Sequence, residues 1–170
     1  MSAFPSIRLA PATEDDVGLV LSFIQQLAAY ERATPDQVPA TEALLRQNLF
    51  GPRPYAKVMI AYVTTSVECE EKPAGFAVYF YNFSTWTARP GLYLEDLFVS
   101  PDYRGLGVGK LLLVQLAKLA KDRQCGRMEW VVLDWNKPAI DMYLSLGAEQ
   151  LTEWIINRVS GPSLDHLAGL

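Results

Sequence analysis

Apolar positions along this chain follow two rhythms, and the rhythms set the elements. Val17, Val20, Leu21, Ile24, Leu27 and Ala28 recur at three- and four-residue spacing, which predicts a helix with one core face. Thr13, with Asp16 three residues on, supplies the start signal for it. Leu112, Leu113, Leu116, Leu119 and Ala120 make a second stripe in a helix ending near Arg123, with Lys118, Lys121 and Asp122 facing water. A short helix is expected near Thr41 to Leu49, and another at "KPAIDMYLSLG", closed by Gly147. The other rhythm is β-branched and aromatic. "SIRLA", "YAKVMIAYV", "PAGFAVYFYNF", "LYLEDLFV", "RMEWVVLDW" and "EWIINRV" read as strands, with the charged turn "ECEEKP" between the second and third. There is no repeat, low-complexity tract or linker. Residues 1–170 therefore read as one α+β domain with a mixed central sheet flanked by helices.

Composition narrows this picture without redrawing it. Half the residues are hydrophobic and a fifth are charged, a globular balance in a chain long enough to bury a substantial core. A net charge of -4 with no basic run argues against nucleic acid as a partner and is compatible with a cationic substrate. Cys69 and Cys125 are far apart and form no ligand or disulfide pattern, which suits a reduced, cytoplasmic compartment. No apolar stretch could span a bilayer, and "MSAFPSIRLA" has no signal-peptide core. His166 stands alone in the tail and cannot make a metal cluster, so no metal is expected.

Candidate chemistry begins at "DYRGLGVGKLLL", where three glycines at alternate positions lead into a leucine-rich helix. A Walker loop would need glycine and Ser or Thr where Arg104 and Leu111 stand. The dinucleotide fingerprint would need glycine at Lys110. What remains is a strand–turn–helix junction whose backbone N–H groups converge at a helix N-terminus, a natural pyrophosphate site. Glycine lets phosphates approach the backbone, and Arg104 adds a fixed positive charge. A turn that merely needs positive φ would carry the same glycines.

"RGLGVG" matches the R/Q-x-x-G-x-G/A acetyl-CoA signature of the GNAT superfamily of N-acetyltransferases. "YLEDLFVSPDYRGLGVG", "VLDWNKPAIDMYLSLGA", "LAAYE" and "YNFSTW" all resemble its spermidine/spermine and thialysine branch, in the same order, over the chain up to about Val159. The resemblance implies the GNAT-type acyl-CoA N-acyltransferase fold. It implies acetyl-CoA as co-substrate along Arg104, Gly105, Leu106, Gly107, Val108, Gly109 and Lys110, with Asn136 as a further contact. Asn136 also precedes Pro138 at a helix start, where it would serve as a cap. By the same resemblance a homodimer is expected, with part of each active site at the subunit interface.

Transfer of acetyl to an amine requires a neutral amine, while a lysine-type amine has a pKa of about 10.4. A base must take its proton and an acid must protonate the leaving thiolate. Glu95 stands in an apolar strand, where strand alternation puts it with Tyr93 and Leu97 and puts Asp96 on the other face. An apolar surround raises a carboxyl pKa, which suits a base. The resemblance assigns Glu95 as that base, direct or through water; a structural carboxylate is the other reading. Asp96 reads as structural or substrate-orienting. Tyr143 corresponds to the tyrosine that protonates the thiolate in many GNAT enzymes, and equally could pack its helix on the sheet. The resembled fold splays two parallel strands here, which implies that backbone N–H groups of Leu97, Phe98 and Val99 meet the developing oxyanion.

For the amine, the resemblance points to Tyr30, Glu31 and Trp86, an aromatic wall with a carboxylate that suits a cation. Ser84 and Thr85 replace the Asp-Pro of the spermidine/spermine enzymes, which favours a shorter, lysine-like amine. Ser145 and Leu146 stand where those enzymes carry basic residues, so this helix offers less grip on phosphate. The leading expectation is an acetyl-CoA-dependent N-acetyltransferase of a lysine-like amine, diamine or polyamine. A protein-lysine or aminoglycoside acceptor is the enzymatic alternative, because the fold alone does not choose the amine. A catalytically silent acyl-CoA sensor is the other, although it would have no need of Glu95 and Tyr143.

Overall fold

A computed structural model describes residues 5–65 and 70–170. Glu68 and Cys69, the first two residues of the "ECEEKP" turn, lie outside the described residues. By internal packing the chain divides into two units, residues 1–131 and Val132–Leu170.

The first unit carries the sheet. Five strands follow one another in space in chain order: β1 (Ser6–Pro11), β2 (Lys57–Thr64), β3 (Glu71–Ser84), β4 (Arg89–Val99) and β5 (Arg127–Glu129). The first four are antiparallel neighbours and β5 runs parallel to β4, so the sheet is mixed, as the strand pattern predicts. The Thr13 signal opens a 3-10 turn, Glu14–Asp16, where the Asp16 carboxylate accepts from Thr13 N at 2.7 Å and Thr13 Oγ1 at 2.8 Å. Helix α1 (Val17–Tyr30) continues directly from it. Its core face runs through Val17, Val20, Phe23 and Leu27. Phe23, absent from the stripe read in the sequence, stacks on Phe76 with ring centroids 5.2 Å apart and tilts against Phe98 at 6.3 Å. Such aromatic pairs add to simple area burial. Around them Val58, Ile60 and Val78 close the core under α1.

Helix α2 (Glu42–Leu45), capped by Thr41 Oγ1 accepting from Leu44 N, passes into a π turn at Arg46–Phe50. Helix α3 (Val108–Asp122) contacts β2, β3 and β4 and buries Leu112, Leu113, Leu116 and Ala120. Met59, Ala61, Val63, Ala77, Tyr79, Leu92 and Leu94, which alternate away from α1, complete that second core. Arg123, just past α3, lies 5.2 Å over the Tyr81 ring on the same face.

β4 breaks its own alternation. Tyr79 pairs with Leu94, but Val78 pairs with Asp96, so Glu95 is an extra residue with no opposite number. Beyond the bulge the faces exchange. Tyr93, Asp96 and Phe98 share the α1 face, while Leu97 and Val99 turn to the other. The alternation expected from the sequence, which grouped Tyr93 with Leu97 and set Asp96 opposite, is corrected by this one residue.

The second unit holds helix α4 (Lys137–Ser145), closed as expected by Gly147 at φ 89, and helix α5 (Pro162–Ala168). Two strand expectations fail. "RMEWVVLDW" is a strand only at Arg127–Glu129, and "EWIINRV" has no ladder among the described residues. Its aromatic and β-branched content favours pleated backbone, yet a strand also needs a neighbour to take its hydrogen bonds. Trp154 and Ile156 are each 67% exposed.

Candidate active site

The end of β4 and the turn after it collect most of the residues singled out in the sequence. β5 pairs with β4 only from Gly91 to Tyr93, so no strand among the described residues takes the outer backbone groups of residues 94–99. That open edge includes Leu97, Phe98 and Val99, and every second N–H there is turned away from β3. After Val99 a 3-10 turn, Pro101–Tyr103, leads to Arg104 and the glycines.

Arg104 is held in place from two sides. Its Nε donates to the Val99 carbonyl at 3.0 Å, and its guanidinium lies 4.7 Å over the Tyr30 ring and 5.8 Å from Phe98. The end of α1 is thereby tied to the end of β4. Gly105 and Gly107 adopt φ 77 and 86, the left-handed region that glycine enters without strain. Space is not the reason for them, since a Cβ at either position meets nothing within 4 Å. Gly107 caps α3 with no side-chain partner, and the first free amides of the helix follow at Val108, Gly109 and Lys110. Gly109 is different in kind. It stands inside α3 without a positive φ, where glycine costs about 1 kcal/mol relative to alanine. Backbone conformation gives no reason for glycine at position 109. The turn therefore offers free backbone amides at a helix start beside one fixed cation, an arrangement suited to an anionic group.

Three carboxylates, Glu31, Glu95 and Asp96, lie near enough for the first two to act on the third. Asp96 is half-buried on the α1 face, and burial raises its pKa to about 6; the negative charges of Glu95 and Glu31 push in the same direction. Glu31, which follows α1, is itself raised by partial desolvation. Glu95, the bulged residue, is exposed. The burial that an apolar strand was expected to impose on Glu95 falls on Asp96 instead. None of the three makes an ion pair among the described residues, leaving their combined charge for a cation. No group of His, Cys, Asp and Glu among the described residues has the arrangement of a metal site.

Trp86 is not near this cluster. It sits 89% exposed in the turn joining β3 to β4, and Ser84 pairs with Arg89 at that end of the ladder. Seven strand positions separate Arg89 from Asp96, which at about 3.3 Å each is roughly 20 Å. In the second unit Tyr143 lies on α4, and its carbonyl accepts from Ala148 N at 3.0 Å. Asn136 occupies the position before α4, and its carbonyl accepts from Ile140 N at 3.0 Å, but its side chain makes no capping bond. The expected side-chain cap is thus corrected: Lys137 and Pro138 begin the helix, and proline has no N–H to be capped.

Comparison with known proteins bears on this site directly. A family model described as "Acetyltransferase (GNAT) family" matches residues 26–148, which takes in Tyr30, the carboxylates, the glycine turn and Tyr143. A thialysine N-epsilon-acetyltransferase of Bos taurus is 39% identical, covering 98% of this chain and 99% of that protein. An L-ornithine N5-acetyltransferase of Arabidopsis thaliana is 33% identical over 96% of this chain and 88% of its own length. Among solved structures, an integron cassette protein from the mobile metagenome of V. cholerae superposes with a TM-score of 0.75 at 28% identity, covering 96% and 98% of the two chains. A fold with a mixed five-stranded sheet, a glycine turn leading into α3 and this match over nearly three quarters of the chain lead to one conclusion: the protein belongs to the GNAT family and is an N-acetyltransferase.

Proposed function

We propose that the protein transfers acetyl from acetyl-CoA to the primary amine of a small lysine-like, diamine or polyamine substrate. The observation that carries this reading is the trio Glu31, Glu95 and Asp96, whose charges meet at Asp96 on β4, the strand that leads into the glycine turn. A cationic amine is drawn to that charge, and the acetyl thioester, held by Arg104 to Lys110, lies along the strand edge. The relatives named for thialysine and ornithine support the lysine-like class, since both acceptors are amino acids with an amine at the end of a side chain.

In this reading each group has a defined task. The Glu95–Asp96 pair accepts the proton that the ammonium must lose. The amide N–H groups at Leu97 to Val99 donate to the carbonyl oxygen as it gains charge. Tyr143 protonates the departing sulfur, a phenol of pKa about 10 giving to a thiolate whose parent pKa is about 8.5. Asn136 contacts the CoA moiety. Trp86 lies too far along the ladder to wall the same amine in one copy. We therefore assign it to a homodimer, in which a second copy brings its β3–β4 turn to the acceptor pocket. No helix among the described residues is long and apolar enough to cross a membrane, and we take the site of action to be the cytoplasm.

The test is a panel of amines incubated with purified protein and acetyl-CoA and read by mass spectrometry. Thialysine, lysine, ornithine, short diamines and spermidine should separate, with the lysine-like members acetylated fastest. Tight acetyl-CoA binding with no amine acetylated would instead identify an acyl-CoA sensor.

A further inference from the structure

The reading above leaves two adjacent carboxylates to share one proton, and the bulge separates their roles. Glu95 is the residue squeezed out of the ladder, exposed to water. Asp96 keeps a ladder partner, Val78, and lies on the α1 face with Tyr93 and Phe98. Phe98 belongs to the apolar core under α1 and Tyr93 lies tilted against Phe80 at 5.1 Å, so Asp96 is flanked by aromatic rings on its own strand. We propose that Asp96 is the group that receives the proton of the acceptor amine, while Glu95 and Glu31 hold the amine's charge at the entrance.

This rests on the acetyltransferase reading and divides labour within it. The proton count requires one acceptor. The ammonium nitrogen carries three protons and the amide nitrogen keeps one, so two must leave. One passes from nitrogen to an Asp96 carboxylate oxygen and then to solvent; the other balances the proton that sulfur gains. The nitrogen lone pair forms the new C–N bond as the C–S bond breaks. A base works best when its proton affinity is near the operating pH. Burial acts most strongly on Asp96, and the charges that add to it are Glu95 on its own strand and Glu31 at the end of α1, both negative. Arg104, on the turn beyond, is engaged with the Val99 carbonyl and the Tyr30 ring. The result is a carboxylate ionised at neutral pH that takes up a proton more readily than an ordinary aspartate.

The experiment is the pH profile of kcat/KM on the best amine of the panel for four proteins: wild type, Asp96→Asn, Asp96→Glu and Glu95→Gln. Wild type should lose activity on an acid limb near pH 6. Asp96→Asn should lose at least a hundredfold near pH 7 and lose that limb, with the dissociation constant for acetyl-CoA unchanged. Asp96→Glu should recover part of the rate, which a merely structural role would not grant to the longer side chain. Glu95→Gln should raise KM and keep the limb. Survival of the limb in Asp96→Asn together with its loss in Glu95→Gln overturns the assignment and leaves the acetyltransferase reading intact. A wild type that binds acetyl-CoA and acetylates no amine overturns both.

Discussion

The Arg104 guanidinium rests 4.7 Å over the Tyr30 ring while its Nε holds the Val99 carbonyl. One side chain thus joins the end of α1 to the end of β4, where the glycine turn begins. An exposed cation–π contact is worth about 0.5–1 kcal/mol. Tyr30→Leu should therefore weaken acetyl-CoA binding about two- to fivefold in calorimetry, through Arg104 alone. An unaltered affinity would show that the Val99 carbonyl suffices to hold it.

Gly107 and Gly109 answer different questions when replaced. At φ 86, Gly107 strains any L side chain, so Gly107→Val loses stability as well as binding and cannot separate the two. Gly109→Val meets no such conformational penalty. Its dissociation constant for acetyl-CoA should rise at least tenfold, about 1.4 kcal/mol, with thermal unfolding reporting whether the fold is kept.

Asp96 should also leave a mark on stability. Its pKa is about 6 in the folded chain against an ordinary 3.8, so the folded state binds the proton more tightly than the unfolded one. By linkage its contribution is most favourable below about pH 4 and is lost as pH rises through about 6. Asp96→Asn should accordingly stabilise the protein above pH 6, on the order of 1–3 kcal/mol, and change little near pH 4. Denaturant titrations at the two pH values measure this.

Tyr143→Phe keeps the ring and removes only the hydroxyl. If that hydroxyl protonates sulfur, kcat should fall by about a hundredfold or more, with acetyl-CoA affinity nearly unchanged. Single-turnover kinetics with the best amine of the panel decides it; a wild-type rate removes Tyr143 from the chemistry.

Much of the fold is legible in the sequence because hydrophobic spacing is a local signal. The stripes of α1 and α3 and the runs of β2, β3 and β4 stand where the apolar rhythm puts them. The glycine turn is equally local, three glycines and an arginine between a strand and a helix. Two things escape. The bulge at Glu95 leaves no trace in "LYLEDLFV", which alternates acceptably in either register, and it depends on how β3 pairs. With it goes the face of Asp96 and hence its burial. The "EWIINRV" segment has strand content, but content does not supply a partner strand. Phe23 was hidden for a simpler reason: it falls between stripe positions that are themselves apolar.

The unmatched residue in β4 has a consequence for how the chain tolerates change. Losing one residue inside a paired strand ordinarily inverts every side chain beyond it, trading core for solvent. Here Leu94 and Asp96 already oppose the consecutive residues Tyr79 and Val78. Excising Glu95 would bring the chain into step with β3 and leave Leu97, Phe98 and Val99 on the faces they now occupy. A single-codon deletion in a paired, partly buried strand should thus give a folded protein, with its near-ultraviolet dichroism preserved and its acetyl transfer impaired. The bulge alters the line of β4 and not the faces that its later residues present.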